Sequence, residues 1–167
     1  VGYTGQSLEL KGGVGVKVNN SALVDGAYQN TYDLPIRDQF TIAFWAKGFP
    51  GDWSPWVCKG GEGSIGWQLR RHGGDPISCF TMRGIDNADG GGSPINVNNN
   101  PAVWHHFAGV WNKATGTRTL YVDGVFSHVV NNNVTQVMSL AYDKHLTLGA
   151  REKGDNTGYE AYFTGKL

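Results

Sequence analysis

Residues Trp104–Gly124 read WHHFAGVWNKATGTRTLYVDG. Two runs in which apolar and polar side chains alternate, the period of a half-buried strand, flank Lys113-Ala114-Thr115-Gly116. Asp123-Gly124 follows Leu120-Tyr121-Val122 and precedes Val125-Phe126. Asp-Gly accepts the positive backbone angles of a tight type I′ turn, so the chain must fold back on itself there. Three consecutive antiparallel strands result. His105 and His106 are neighbours on the first of them, so their side chains point to opposite faces and do not grip one metal together.

The same period extends outward. In FTIAFWAK, Phe40, Ile42, Phe44 and Ala46 share one face, which should meet the core, while Thr41, Ala43, Trp45 and Lys47 share the other. GWQLR, ISCFTMR, KHLTLGA and EAYFTGK read as further strands between Gly, Asn and Asp clusters. VTQVMSLAYDK is the one stretch with room for a helix, and its valines and threonine argue against one. Many antiparallel strands without helices define an all-β fold, an antiparallel β-sandwich or jelly roll.

A chain of 167 residues suits one domain, residues 1–167, with a core large enough to stand without staples. Its 14 lysines and arginines balance 14 aspartates and glutamates, so there is no field of one sign to attract nucleic acid or an anionic membrane. No apolar run reaches the roughly 20 residues that span a bilayer, which predicts no membrane insertion. Low charge with abundant glycine, asparagine and aromatics points to an extracellular, secreted or cell-surface protein. Cys58 and Cys79, the two thiols, either form one disulfide or stay as two small buried hydrophobes.

Catalytic motifs fail on inspection. Gly61-Glu62-Gly63-Ser64-Ile65-Gly66 matches G-x-G-x-x-G with Asp86 downstream, yet only Trp67–His72 separate it from Gly73-Gly74-Asp75-Pro76. No helix fits there to hold a pyrophosphate, and a glycine-rich hairpin explains the motif better. Glu62-Gly63-Ser64-Ile65-Gly66 lacks the first glycine of a nucleophile elbow. Retaining sugar hydrolysis needs two carboxylates about 5 Å apart, and no two of Glu9, Glu62, Glu152 and Glu160 share a strand face in this reading.

FTIAFWAK, Trp67-Gln68-Leu69, WHHFAGVWNKATGTRTLYVDG and HLTLGA, in that order, resemble the laminin G-like, concanavalin A-like lectin/glucanase superfamily, in particular the bacterial modules attached to secreted polysaccharide-degrading enzymes. The resemblance covers most of residues 1–167. It implies a non-catalytic carbohydrate-binding module that holds a secreted enzyme or surface protein on a polysaccharide or oligosaccharide, covalently linked to catalytic or surface domains. A protein-binding adhesive module of laminin G type and a glycoside hydrolase of the same fold are the alternatives, because fold alone does not settle function. The family's glucanases carry E-x-D-x-E or a close variant on one strand, and no such run occurs here. Such domains usually continue beyond FTGKL into a final strand, so the chain reads as a module excised from a larger protein.

Within that frame, Trp45, Trp104 and Trp111 read as core or concave-face packing inside the strand motifs, Trp67 as structural, and Trp56 as packed beneath its loop. Trp53, in Pro50-Gly51-Asp52-Trp53-Ser54-Pro55-Trp56, sits at a loop tip where no strand face buries it. The apolar C–H face of a pyranose can lie on its indole. Glu62, Gln68, Arg70, Arg83 and Asp86 are the candidate hydrogen-bonding groups, with Gln68 and Arg70 alternating on one side of their strand and Cys79, Thr81 and Arg83 on one side of the next, which would present both arginines together. A structural calcium ion is expected from the loop oxygens of Asp25, Asp86 and Asp89. The resemblance, in which calcium lies near the chain ends, favours Asp25.

Overall fold

The structure, a computed structural model, describes residues 5–18, 21–24, 27–30, 39–60, 66–83, 100–131, 145–153 and 157–167. The strands are β1 (Glu9–Leu10), β2 (Val16–Val18), β3 (Ser21–Val24), β4 (Ala27–Asn30), β5 (Gln39–Lys47), β6 (Pro55–Lys59), β7 (Gly66–Arg71), β8 (Ser78–Arg83), β9 (Trp104–Asn112), β10 (Thr117–Val122), β11 (Val125–Asn131), β12 (Leu146–Leu148), β13 (Arg151–Glu152), β14 (Tyr159–Glu160) and β15 (Gly165–Lys166). Among the described residues there is no helix.

A six-stranded sheet, β1-β15-β5-β9-β10-β11, packs on a five-stranded sheet, β2-β12-β6-β7-β8, and every strand pair is antiparallel. This is the expected β-sandwich. The meander β9-β10-β11 forms as its turns dictate: Asp123 and Gly124 both take positive φ, 53° and 76°. Asp123 is further held by its carboxylate, which accepts from the His106 backbone N–H at 2.8 Å and meets His105 Nδ1 at 2.8 Å.

The core lies between the sheets. Ala46 is buried and Phe40, Ile42 and Phe44 pack against the core, the face that alternation selects in β5. Trp56 is wholly buried, its ring 4.5 Å from Phe107 and 5.5 Å from Phe49, and Phe44 stacks on Phe107 at 5.6 Å. Gly109 of β9 faces Phe80 of β8 across the gap so closely that a Cβ there would stand 2.8 Å from Phe80 Cγ.

Two strand boundaries differ from the sequence reading. EAYFTGK is not one strand: Ala161 at φ 52° breaks it into β14, which pairs with β13 in a separate ribbon, and β15, which joins the six-stranded sheet. Phe163, between them, is fully buried and donates its backbone N–H to Gly149 O at 2.8 Å. KHLTLGA narrows to β12 because Gly149, at φ 72°, turns out of the strand and bonds to Trp56 O instead. The stretch VTQVMSLAYDK lies outside the described residues.

Cys58 and Cys79 are buried thiols that are not joined in a disulfide. They stand on β6 and β8 with β7 between, a lateral separation of about 9–10 Å that exceeds the Cα reach of a disulfide. The small-hydrophobe alternative is the one adopted.

Candidate functional site

The turn Gly51–Ser54 closes with a Ser54 N–H to Gly51 O bond of 3.0 Å, and Trp53 occupies its third position at φ 57°. A positive angle at that position is the type II pattern, which normally calls for glycine, so a bulky aromatic there is strained. Packing enforces it. Arg71 pairs with Asp52 at 2.9 Å, donates to Pro50 O at 3.4 Å and to Asp75 O at 2.9 Å, and so ties this turn to the His72–Pro76 turn. The Trp53 ring lies over the Arg70 guanidinium, 4.7 Å from carbon to centroid, beside His72 at 5.4 Å. Gly73 passes beneath it, and a Cβ at Gly73 would meet Trp53 Cζ2 at 2.9 Å. Trp53 remains 39% exposed.

Next to this turn runs the outer face of the five-stranded sheet. Registers align Lys17, Thr147, Cys58, Gln68 and Thr81 in one row across β2, β12, β6, β7 and β8. Arg70 and Cys79 form the next row toward the Trp53 turn. Most of this polar face is buried: Gln68 is 2% and Arg70 1% exposed. Burial demands partners, and Thr147 Oγ1 donates to Ala150 O at 2.6 Å and contacts Cys58 Sγ at 3.0 Å. The Cys58 thiol is pushed up to about 12, chiefly by burial, against the opposing pull of Thr147 and Arg151. Gln68 Oε1 is buried with no hydrogen-bond partner among the described residues.

The β13–β14 ribbon closes the β12 side of this face. Arg151 Nε bonds Glu160 Oε1 at 3.1 Å and Nη1 reaches Trp53 O at 3.5 Å, which links the ribbon to the tryptophan turn. Glu152 accepts from the His145 backbone N–H at 3.0 Å and meets His145 Nδ1 at 2.6 Å. Partial burial, then the charge of Glu152 and a hydrogen bond to it, raise the Tyr159 hydroxyl above its usual range. Tyr159, Tyr162, Lys17 and Thr147 line a cleft of about 240 Å³ at this edge.

Of the residues expected from sequence, the structure brings Trp53 and Arg70 into contact and sets Gln68 in the row beside them. In the β7–β8 register Arg70 stands opposite Cys79 and Arg83 opposite Gly66. The two backbone positions are about 13 Å apart along the strands. The Arg83 side chain, Glu62, Asp86, and the calcium candidates Asp25, Asp86 and Asp89 lie outside the described residues. Among the described residues no cluster of His, Cys, Asp and Glu is placed to hold a metal. The segment after Lys59 joins antiparallel neighbours β6 and β7, as a hairpin does and a dinucleotide fold does not.

Sequence reasoning missed Arg151, Glu152 and Tyr159, whose roles depend on long-range pairing. Trp45, on the face opposite the core-directed Phe40, Ile42 and Phe44, is 39% exposed on the outer face of the six-stranded sheet. Trp111, Trp56 and Trp67 are core residues as expected.

A β-sandwich with a half-exposed tryptophan at the margin of a polar sheet face has the architecture of a lectin-type domain. Residues 17–167 match the laminin G-type family described as the Concanavalin A-like lectin/glucanases superfamily, and the chain belongs to that family. Among curated proteins it is similar to the Non-toxic nonhemagglutinin of Paraclostridium bifermentans, 28% identical over an alignment of 152 residues that covers 86% of this chain and 12% of that relative's length. Among solved structures it is similar to the CBM40 of Ruminococcus gnavus IT-sialidase bound to alpha2,3 sialyllactose, with a TM-score of 0.65 at 14% identity, covering 98% of this chain and 86% of that one. Domain 4 of AbnA, a GH43 extracellular arabinanase from Geobacillus stearothermophilus, in complex with arabinotriose, gives a TM-score of 0.66 at 14% identity, covering 99% of this chain and 68% of that one. At these identities the structures share the fold.

Proposed function

We propose that the domain is a carbohydrate-binding module that holds an oligosaccharide or polysaccharide without cleaving it, with Trp53 as the platform. The observation that carries this reading is a large ring kept half-exposed at a left-handed backbone angle, braced from beneath by a buried arginine. Strain of this kind persists only where surrounding structure enforces it, and it clusters at binding sites. A pyranose C–H face laid on the outer side of the indole removes about 100 Å² of apolar surface from water, worth roughly 2–3 kcal/mol. Hydroxyl recognition falls to polar groups near the platform, for which Glu62, Arg83 and Asp86 on the connections around β7 and β8 remain the candidates. Gln68 and Arg70, being buried, support the platform from behind rather than meeting the sugar first.

Binding without cleavage is supported by the state of two carboxylates on this side of the molecule. Glu152 is engaged by His145 and Glu160 by Arg151, and the register of β13 and β14 sets the two carboxylates on opposite faces of the ribbon rather than as a pair. Two of the similar structures, the sialidase module and the arabinanase domain, hold oligosaccharides, which supports the same reading and an extracellular setting alongside other domains. The test is a glycan array followed by calorimetric titration of the best ligand against the wild type and Trp53→Ala. Loss of binding in the folded variant is expected. Unaltered affinity would remove Trp53 from the site, and an array blank for all glycans while a matrix-protein screen gives a binder would favour the adhesive alternative.

A further inference from the structure

The outer face of the six-stranded sheet, on the opposite side of the sandwich from the polar row, carries a second set of recognition chemistry. Registers place Trp104, Lys47, Lys166 and Glu9 in one row across β9, β5, β15 and β1. Trp45 lies two residues before Lys47 on the same face, its ring 5.1 Å from that of His106. Trp45, Trp104, Lys47 and Lys166, with Gln6, line an open depression of about 370 Å³, within the size range of small-ligand sites.

Its charges are set against one another. Lys47 and Lys166 are directly opposed cross-strand partners, both half-buried, and like charges in that position repel. Neither forms an ion pair among the described residues; Glu9, exposed and on the far side of Lys166, makes none with it. An anion between the two ammonium groups would turn that repulsion into paired attraction, while the indoles beside it offer apolar surface to the rest of the same molecule.

We propose that this depression is a second glycan site, one that takes a pyranose bearing a carboxylate or a sulfate, with the sugar face on Trp45 and Trp104 and the anionic group between Lys47 and Lys166. The proposal rests on the reading of the domain as a glycan binder but not on Trp53, and the two can fail separately. The experiment follows the tryptophan indole N–H signals of the ¹⁵N-labelled domain by NMR during titration with a galacturonate hexasaccharide, a chondroitin sulfate hexasaccharide and a neutral xylan hexasaccharide.

The acidic probes should move the Trp45 and Trp104 signals, and whichever of the two binds more tightly identifies carboxylate or sulfate as the preferred anion. Lys47→Ala and Lys166→Ala should each weaken that binding about tenfold, as loss of a charge-assisted contact does. Raising the salt to about 1 M should weaken it as well. Trp53→Ala should leave it unchanged. Equal affinity for the neutral probe at these signals, insensitivity to both lysine variants, or no movement of Trp45 and Trp104 at millimolar acidic probe would each overturn the proposal. So would concentration-dependent movement without any sugar, which would assign the face to contact between copies of the chain.

Discussion

The Arg70 guanidinium carbon lies 4.7 Å from the centre of the Trp53 ring, with the arginine buried and the tryptophan half-exposed. The charge thus has a π-face as one of its neighbours, and the ring has a fixed support, which converts a loop-tip aromatic into a platform of defined orientation.

Replacing Trp53 separates its two roles. Glycine suits φ 57°, whereas alanine does not, so Trp53→Gly should be about 1 kcal/mol more stable than Trp53→Ala. Both should bind the best neutral glycan about ten- to a hundredfold more weakly, from loss of the stacked area. Urea denaturation beside calorimetry reads both quantities. A loss above about 3 kcal/mol in the glycine variant would mark the ring as a packed lid rather than a platform.

Asp123 has two tasks: a positive φ and a carboxylate held against the start of β9. Asp123→Ala should cost about 2 kcal/mol, combining a left-handed alanine with the lost acceptor, while Asp123→Asn should cost under about half of that, since asparagine tolerates the angle and still accepts from His106 N–H. Equal losses in thermal denaturation would contradict this division.

Gly109 sets the spacing of the sheets under Phe80. Gly109→Ala should destabilise by about 1–3 kcal/mol through overpacking, and Phe80→Leu in the same chain should recover part of that cost. A double-mutant cycle that sums without coupling would show that the sheets shift apart freely.

The Cys58 thiol makes alkaline stability specific. Its value in the folded chain is about 12 against an ordinary 9.0, so the folded state holds the proton more tightly than the unfolded state does. Stability from this source is complete below pH 9 and falls by about 1.4 kcal/mol per pH unit between 9 and 12. Cys58→Ala should lose less stability across that window than the wild type does. At pH 8 the native protein should resist a thiol reagent until denatured.

Much of this fold was legible because its signals are local. The Asp123-Gly124 turn and the alternation on either side of it contain the β9–β10–β11 meander within one short stretch, and the strict alternation in FTIAFWAK sent Phe40, Ile42 and Phe44 inward. EAYFTGK alternates just as well, yet its path is decided by Phe163 entering the core and by the left-handed Ala161, neither of which a period can report.

The site divides the same way. Proline and glycine around Trp53 announce a turn, so its exposure could be read. That Arg70 lies beneath it depends on how two turns pack, and where the Arg83 backbone stands relative to that of Arg70 depends on the β7–β8 register. Alternation in FTIAFWAK put Trp45 on the face turned from the core, while its neighbours there, Trp104 and His106, depend on the pairing of β5 with β9.

Leu8 and Leu167 exchange a reciprocal pair of backbone hydrogen bonds, each 2.9 Å, as β1 lies against β15. Residues far apart in sequence are thus clasped side by side where β1 meets β15 in the six-stranded sheet. Such a clasp closes a loop nearly as long as the chain, so it forms at a high entropic cost and only once the strands between are in place.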